Sequence, residues 1–77
     1  MSIHVKFFAS LRERMGHDTL EIDAIPGLTA GAVWRSVSAT ESLPSNVLVA
    51  VNQDYATAEQ PVVDGDEVAF FPPVTGG

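Results

Sequence analysis

The chain has 77 residues, 45% of them hydrophobic, which suffices for one domain with one compact core and argues against disorder. It contains no cysteine, which excludes disulfides, thiol nucleophiles and a side chain that could hold sulfur as a persulfide. The net charge is −6 at pH 7 and every Lys and Arg lies in the first 35 positions, which excludes electrostatic binding to nucleic acid. The acidic second half suits a basic partner protein or serves solubility alone. We expect a cytosolic protein, because no apolar run could span a membrane and no signal-peptide pattern opens the chain.

The first part of the chain predicts two strands around a short helix. Hydrophobic and polar residues alternate from Ile3 to Phe7, which is typical of a half-buried strand. Ser10 to Glu13 has the spacing of a capping box and predicts the start of a helix that Gly16 ends. Thr19 to Ile22 alternates again and predicts the second strand.

A second helix is predicted after the turn at Ile25 to Gly27. Thr29 is placed to cap this helix, which should run to about Ala39. Gly31 is expected to weaken it, because glycine is a poor helix former.

The second half of the chain is dominated by strands. Leu48 to Val51 is an apolar run typical of a buried strand, and residues 52–54 should turn the chain. Gly65 should adopt a positive φ in a tight turn between Asp64 and Asp66. Residues 67–71 form the last predicted strand, with Val68 and Phe70 inward and Ala69 and Phe71 outward. Taken together, the elements predict an α+β domain over residues 1–77 with a free tail at 72–77.

Side chains for catalysis or metal binding are missing from the predicted structure. His4 and His17 fall on a strand surface and in a turn, without the carboxylate pairs or spacing that a metal site needs. We interpret both as surface histidines, and we expect the chain to bind no metal or cofactor.

The C-terminal tail is the candidate reactive group. Gly76 and Gly77 have no side chains, so this backbone could enter a narrow tunnel in a partner. Pro72 and Pro73 should make the base of the tail stiff and extended. If ATP converts the Gly77 carboxylate to an acyl-adenylate, a sulfur donor can displace AMP and leave a thiocarboxylate.

Three stretches of the sequence are distinctive: Asp64-Gly-Asp-Glu-Val-Ala-Phe-Phe-Pro-Pro-Val-Thr-Gly-Gly77, Val49-Ala-Val-Asn-Gln53, and Val5-Lys-Phe-Phe-Ala9 followed by Arg12, Glu13 and Gly16. Together they resemble the MoaD family, the small sulfur-carrying subunits of molybdopterin synthase. The resemblance implies a β-grasp, ubiquitin-like fold: a mixed sheet packed against one main helix, plus a short helix.

The resemblance also implies a reaction and its partners. A MoeB-like adenylyltransferase would use ATP and Mg to activate Gly77, and an unidentified donor would supply the sulfur. Two copies of the chain would assemble with two of a MoaE-like large subunit, where cyclic pyranopterin monophosphate becomes the dithiolene of molybdopterin. Gly76 would let the tail pass, and the large subunit would supply the catalytic residues.

A docking surface is predicted beside the tail. Phe8, Tyr55 and Phe71 should be exposed aromatic side chains, and such residues favour protein interfaces. Pro72, Pro73, Val74 and Thr75 would contact the partner along the tail.

Other functions remain open at this point. The chain could be a related ubiquitin-like carrier for thiamine, cysteine or tRNA thiolation, or a protein modifier joined to lysines. It could also be a passive interaction domain whose tail has no chemistry.

Overall fold

The computed structural model describes residues 2–38, 43–44 and 46–72. Within them the chain forms five strands and two helices. In chain order these are β1 (Ser2–Phe7), α1 (Ser10–Met15), β2 (Thr19–Asp23), α2 (Ala30–Ser38), β3 (Leu48–Val51), β4 (Asp54–Ala56) and β5 (Glu67–Phe71).

The strands form one mixed sheet with the order β2-β1-β5-β3-β4. The two central strands, β1 and β5, run parallel, with Val5 opposite Val68 and Phe7 opposite Phe70. The other neighbours in the sheet are antiparallel. This architecture confirms the predicted α+β fold, a β-grasp with one main helix.

The core lies between the sheet and α2. Alternate side chains of β1 and β5 point into it, and Val5, Val68 and Phe70 are fully buried. Trp34 of α2 meets Phe70 edge-on, with ring centroids 5.1 Å apart. The apolar faces of helix and sheet are thus buried against each other, which is the main source of stability in so small a domain.

The start of α1 differs from the prediction. The Ser10 capping box is wrong, because Ser10 is already the first helical residue and Ala9 occupies the cap without a side-chain hydrogen bond. Ala9 has φ 55° and ψ −131°, and the Leu11 N–H donates to the Phe8 carbonyl at 3.2 Å. These values describe a type II′ turn, which starts the helix by backbone geometry alone. Gly16 ends the helix as predicted, with φ 78°.

The N-terminus of α2 is hydrogen-bonded to the segment between β4 and β5. The Thr29 hydroxyl accepts the Ala32 N–H at 3.2 Å, which confirms the predicted cap. The Gly31 N–H donates to the Ala58 carbonyl at 2.8 Å. A Cβ at Gly31 would lie 3.0 Å from the Ala58 Cβ, so glycine here permits a close approach. The predicted end of the helix, Ala39, lies outside the described residues.

β4 was not predicted. The sequence predicts that residues 52–54 turn the chain, but only Asn52 and Gln53 do so, and β4 begins at Asp54. Both turn residues have positive φ, 52° and 73°, as a tight two-residue hairpin requires. Tyr55 is therefore held in a strand, opposite Ala50.

The turn before β5 is stabilised by hydrogen bonds to the Asp66 carboxylate. Gly65 has φ 89°, as predicted. The Asp66 carboxylate accepts hydrogen bonds from the Asn52 amide at 3.0 Å and the Val63 N–H at 2.9 Å. The bond from Asn52, followed by that from Val63, lowers the pKa of Asp66 from its ordinary value of 3.8. Asn52 also accepts the Glu67 N–H at 3.0 Å, so one side chain ties the β3–β4 turn to β5.

Candidate docking surface and C-terminal tail

Phe8, Tyr55 and Phe71 form one group on the outer face of the sheet, here called the aromatic cluster. The rings of Phe8 and Phe71 are stacked, with centroids 4.8 Å apart and planes 6° apart. The Tyr55 ring lies 6.4 Å from that of Phe71, tilted by 57°. Tyr55 is 78% exposed, Phe8 is 41% exposed and Phe71 is half-buried between them. The structure thus brings together three residues that are far apart in the sequence.

Strand alternation separates this cluster from the core. Phe7 and Phe70 stack on the inner side with centroids 6.0 Å apart, while Phe8 and Phe71 stack on the outer side. The Phe8 N–H donates to the Phe70 carbonyl at 3.2 Å, so Phe8 stays alongside β5 beyond the end of β1. The turn at Ala9 then carries the chain away, and the Phe8 ring remains beside Phe71.

One residue beside the aromatic cluster, Leu48, was not predicted to be exposed. Leu48 belongs to the predicted buried run, but it is 38% exposed and lies opposite Phe71 in the pairing of β3 with β5. Side chains alternate between the two faces along β3, so placing Val49 in the core puts Leu48 on the outer face. This alternation could have identified Leu48 as exposed. Ala69, predicted to face outward, is buried nevertheless, because it lies in mid-sheet between Lys6 and Ala50.

Next to the cluster, the outer face carries two ion pairs. The Lys6 ammonium lies 3.4 Å from a Glu67 carboxylate oxygen, and Lys6 is opposite Ala69 in the register. His4 Nδ1 lies 3.1 Å from Glu21, an ion pair when the histidine is protonated. Both histidines are exposed, as predicted. An apolar surface with a rim of exposed charged side chains has the composition of a protein interface.

The tail leaves the sheet beside this cluster. β5 ends at Phe71, and Pro72 is the last described residue and half-buried. Proline lacks the N–H that would continue the ladder, which accounts for the end of the strand. Pro73, Val74, Thr75, Gly76 and Gly77 lie outside the described residues, and their roles stay predictions.

Metal-binding clusters are absent from the described part of the chain: it contains no group of three His, Cys, Asp or Glu side chains that could hold an ion. Neither described helix is long and apolar enough to cross a membrane. The described residues offer an aromatic surface for docking beside the end of β5.

Comparison with known proteins gives a family and a fold. The model of the ThiS family matches residues 5–77. The molybdopterin synthase sulfur carrier subunit of Escherichia coli is 43% identical, with 97% of this chain and 99% of that protein covered. The corresponding subunit of Haemophilus influenzae is 40% identical over the same shares of both chains.

A solved structure agrees with the fold. Small archaeal modifier protein 1 of Haloferax volcanii superposes with a TM-score of 0.79 at 28% identity, over 95% of this chain and 98% of that one. The sequence match and the shared fold extend over nearly the whole chain. It follows that this chain belongs to the ThiS family and, within it, to the MoaD-type sulfur carrier subunits.

Proposed function

We propose that this chain carries sulfur for molybdopterin synthesis as a thiocarboxylate at Gly77. The observation that carries the proposal is the likeness to the E. coli sulfur carrier subunit over nearly the full length of both chains. The family match extends through the two terminal glycines.

Two steps load the tail. The Gly77 carboxylate attacks the α-phosphate of ATP in a MoeB-like adenylyltransferase, which uses Mg, and pyrophosphate leaves. Sulfur at the sulfide level then attacks the acyl carbon and the C–O bond to AMP breaks, which leaves the thiocarboxylate. A donor that presents the sulfur as a persulfide would also need a thiol to reduce the S–S bond of the acyl disulfide formed first. The chain itself has no cysteine that could intercept the sulfur. The sulfur therefore stays on the backbone.

Delivery of the sulfur requires a partner that holds the acceptor, and we assign this role to a MoaE-like large subunit. In the proposed complex the aromatic cluster packs on the large subunit and the tail enters its active site. Gly76 lets the backbone pass, and the thiocarboxylate sulfur displaces an oxygen substituent of cyclic pyranopterin monophosphate. Water then cleaves the Gly77 acyl–sulfur bond, which leaves the sulfur on the acceptor and restores the Gly77 carboxylate. The position of the cluster where β5 ends supports this arrangement, because docking there would hold the base of the tail in place.

Intact-mass measurement tests the proposal directly. The chain is incubated with ATP, Mg, a MoeB-like enzyme and a sulfur source, and its C-terminus is then fragmented. We expect one oxygen of Gly77 to be replaced by sulfur. The variant lacking Gly77 is the matched control, and it should gain no sulfur while melting like the wild type. An unmodified wild-type tail, with an enzyme that loads another carrier in parallel, would refute the proposal.

A second candidate is a protein modifier. It is favoured by the likeness to small archaeal modifier protein 1, whose structure is shared over almost the whole chain. The same activated Gly77 would then be transferred to lysine amines of other proteins. Isopeptide-linked Gly77 in digests of cells that produce the chain would support this function. Free thiocarboxylate alone would support the carrier.

A further inference from the structure

The end of the sheet where β1 and β5 begin carries a group of carboxylates. Asp23 ends β2 opposite Ser2, and the Ser2 N–H donates to the Asp64 carboxylate at 2.8 Å. The turn that precedes Asp54 is joined to Asp66 through the Asn52 amide at 3.0 Å. This group is called the acidic end here, and it comprises Asp23, Asp54, Asp64 and Asp66.

The described basic residues lie elsewhere in the fold. Lys6 is in the second half of β1, where it pairs with Glu67. Arg12 is in α1, and Arg35 is in the last turn of α2. Within the described part of the chain, neither ion pair involves a carboxylate of the acidic end. Carboxylates gathered in this way produce a negative potential that attracts a basic partner.

An apolar cleft of about 270 Å³ opens at the same end of the molecule, between the β2–α2 connection and the segment before β5. Val62 is buried at its base, whereas Ile25 and Val63 on its walls are 57% and 64% exposed. Asp64 of the acidic end also lines it. Solubility does not account for two exposed aliphatic side chains, and an exposed apolar surface with a polar rim is typical of an interaction site.

Backbone hydrogen bonds fix both walls of the cleft. On one wall the Leu28 N–H donates to the Ile25 carbonyl at 3.3 Å, and the Leu28 carbonyl accepts the Val62 N–H at 3.0 Å. On the other, the Val63 N–H donates to the Asp66 carboxylate at 2.9 Å, and the Val63 carbonyl accepts the Asp66 N–H at 3.0 Å. The cleft is therefore formed before any partner arrives, and binding costs little ordering of the chain.

We propose that the acidic end and its cleft are a second docking site, for a protein segment in which one aliphatic or aromatic side chain is flanked by lysine or arginine. The apolar side chain fills the cleft between Ile25 and Val63. The flanking cations lie against Asp23 and Asp64. This inference is independent of the chemistry proposed for Gly77.

Charge selects a basic segment over a second copy of this chain. A second copy carries the same net charge of −6 and would be repelled from the acidic end. The position of the site also leaves it free when the aromatic cluster is occupied. Asp66 and Phe71 are five strand residues apart, about 17 Å, at opposite ends of β5. Partners at the two sites can therefore be bound at the same time.

The test is a titration of the full ¹⁵N-labelled chain with a defined peptide, acetyl-Lys-Arg-Leu-Arg-Lys-amide, followed by amide NMR spectra at low salt. The same peptide with serine in place of leucine is the control ligand. We expect saturable shifts at the amides of residues 23–27 and 62–66. The leucine peptide should bind about fivefold more tightly than the serine peptide, because only leucine fills the cleft.

Three variants separate the cleft from the charge. Val63→Ser should weaken the leucine peptide about fivefold, to the level of the serine peptide. Asp64→Asn keeps an acceptor for the Ser2 N–H and removes one charge, so both peptides should weaken about two- to fivefold. Glu13→Gln removes one charge from exposed α1 and should change neither affinity. All three replace exposed side chains and should melt like the wild type.

Four results would overturn the inference. They are equal binding of the two peptides, shifts centred on the aromatic cluster, no saturable binding of the leucine peptide, and dimerisation of the wild type that Val63→Ser abolishes. Sedimentation of wild type and Val63→Ser measures the last of these, which would make a second copy the occupant of the cleft.

Discussion

Replacing Phe71 with Ala should separate docking from folding. Phe71 is half-buried on the outer face, so truncation leaves no closed cavity and forfeits about half the transfer free energy of a phenylalanine. Loss of the stack with Phe8, at 4.8 Å, adds a similar amount. We expect the free energy of unfolding to fall by about 1.5 kcal/mol, a drop of roughly 6–12 °C in Tm.

Phe71→Ala should weaken binding to the large subunit by more than it lowers the free energy of unfolding. An aromatic side chain at the centre of an interface is worth about 2–4 kcal/mol on truncation, and we expect about 3 kcal/mol for Phe71, roughly a 100-fold weaker Kd for the large subunit. Titration calorimetry with a purified MoaE-like subunit, at a temperature where the variant is folded, measures this.

The neighbouring residue supplies the control. Phe70 is fully buried, so Phe70→Ala should cost about 3–5 kcal/mol in unfolding free energy and act through loss of the fold. Unchanged affinity in Phe71→Ala beside a large loss of stability would refute the assignment of Phe71 to docking.

Three further substitutions test the local structure. Ala9→Gly should raise the free energy of unfolding by about 1 kcal/mol in urea titrations, because glycine relieves the strain of φ 55°, ψ −131°; a decrease would contradict the type II′ turn. Gly31→Ala should lower Tm although alanine is the better helix former, since the new methyl would press on Ala58 at 3.0 Å, costing about 1–3 kcal/mol; a higher Tm would mean that this contact yields. Asp66 has a lowered pKa in the folded state, so its contribution to stability is present above the ordinary value of 3.8 and is lost as the pH falls through the lower folded value. The free energy of unfolding of Asp66→Asn should therefore fall less than that of wild type as the pH is lowered. Asp54→Asn is the control and should behave like wild type. An equal fall in Asp66→Asn and wild type would argue against the role of Asp66.

Most strands were predictable from the pattern of their hydrophobic residues. β1 and β2 follow a two-residue period, whereas β3 and β5 have buried residues at consecutive positions and were recognisable as apolar runs. The outward position of Phe71 was predicted by assuming alternation within β5. The exposure of Phe8 and Tyr55 was predicted too, although their contact with Phe71 depends on sheet order. Sheet order is set by pairings between distant parts of the chain, which local periodicity does not encode.

Three features were not predicted, and each has a physical reason. β4 has only three residues, and its hairpin turn uses Gln53 at a positive φ where glycine would have been a clear signal. The capping box at Ser10 failed because the turn at Ala9 already fixes the helix start. The sequence indicates Gly31 only as a residue that weakens the helix. Its close contact with Ala58 gives no local signal, because the two residues lie far apart in the sequence.

The place of β5 in the sheet has a consequence for synthesis. Among the five described strands β5 is the last to be synthesised, yet it lies between β1 and β3. Until it arrives, the nascent chain can form only two separate hairpins, β1 with β2 and β3 with β4, and an isolated hairpin is marginal in water. Closing the parallel pair joins Val5 to Val68 across most of the polypeptide, a high contact order that slows folding. The core and the end of β5, from which the C-terminal tail leaves, therefore become ordered together, late in folding.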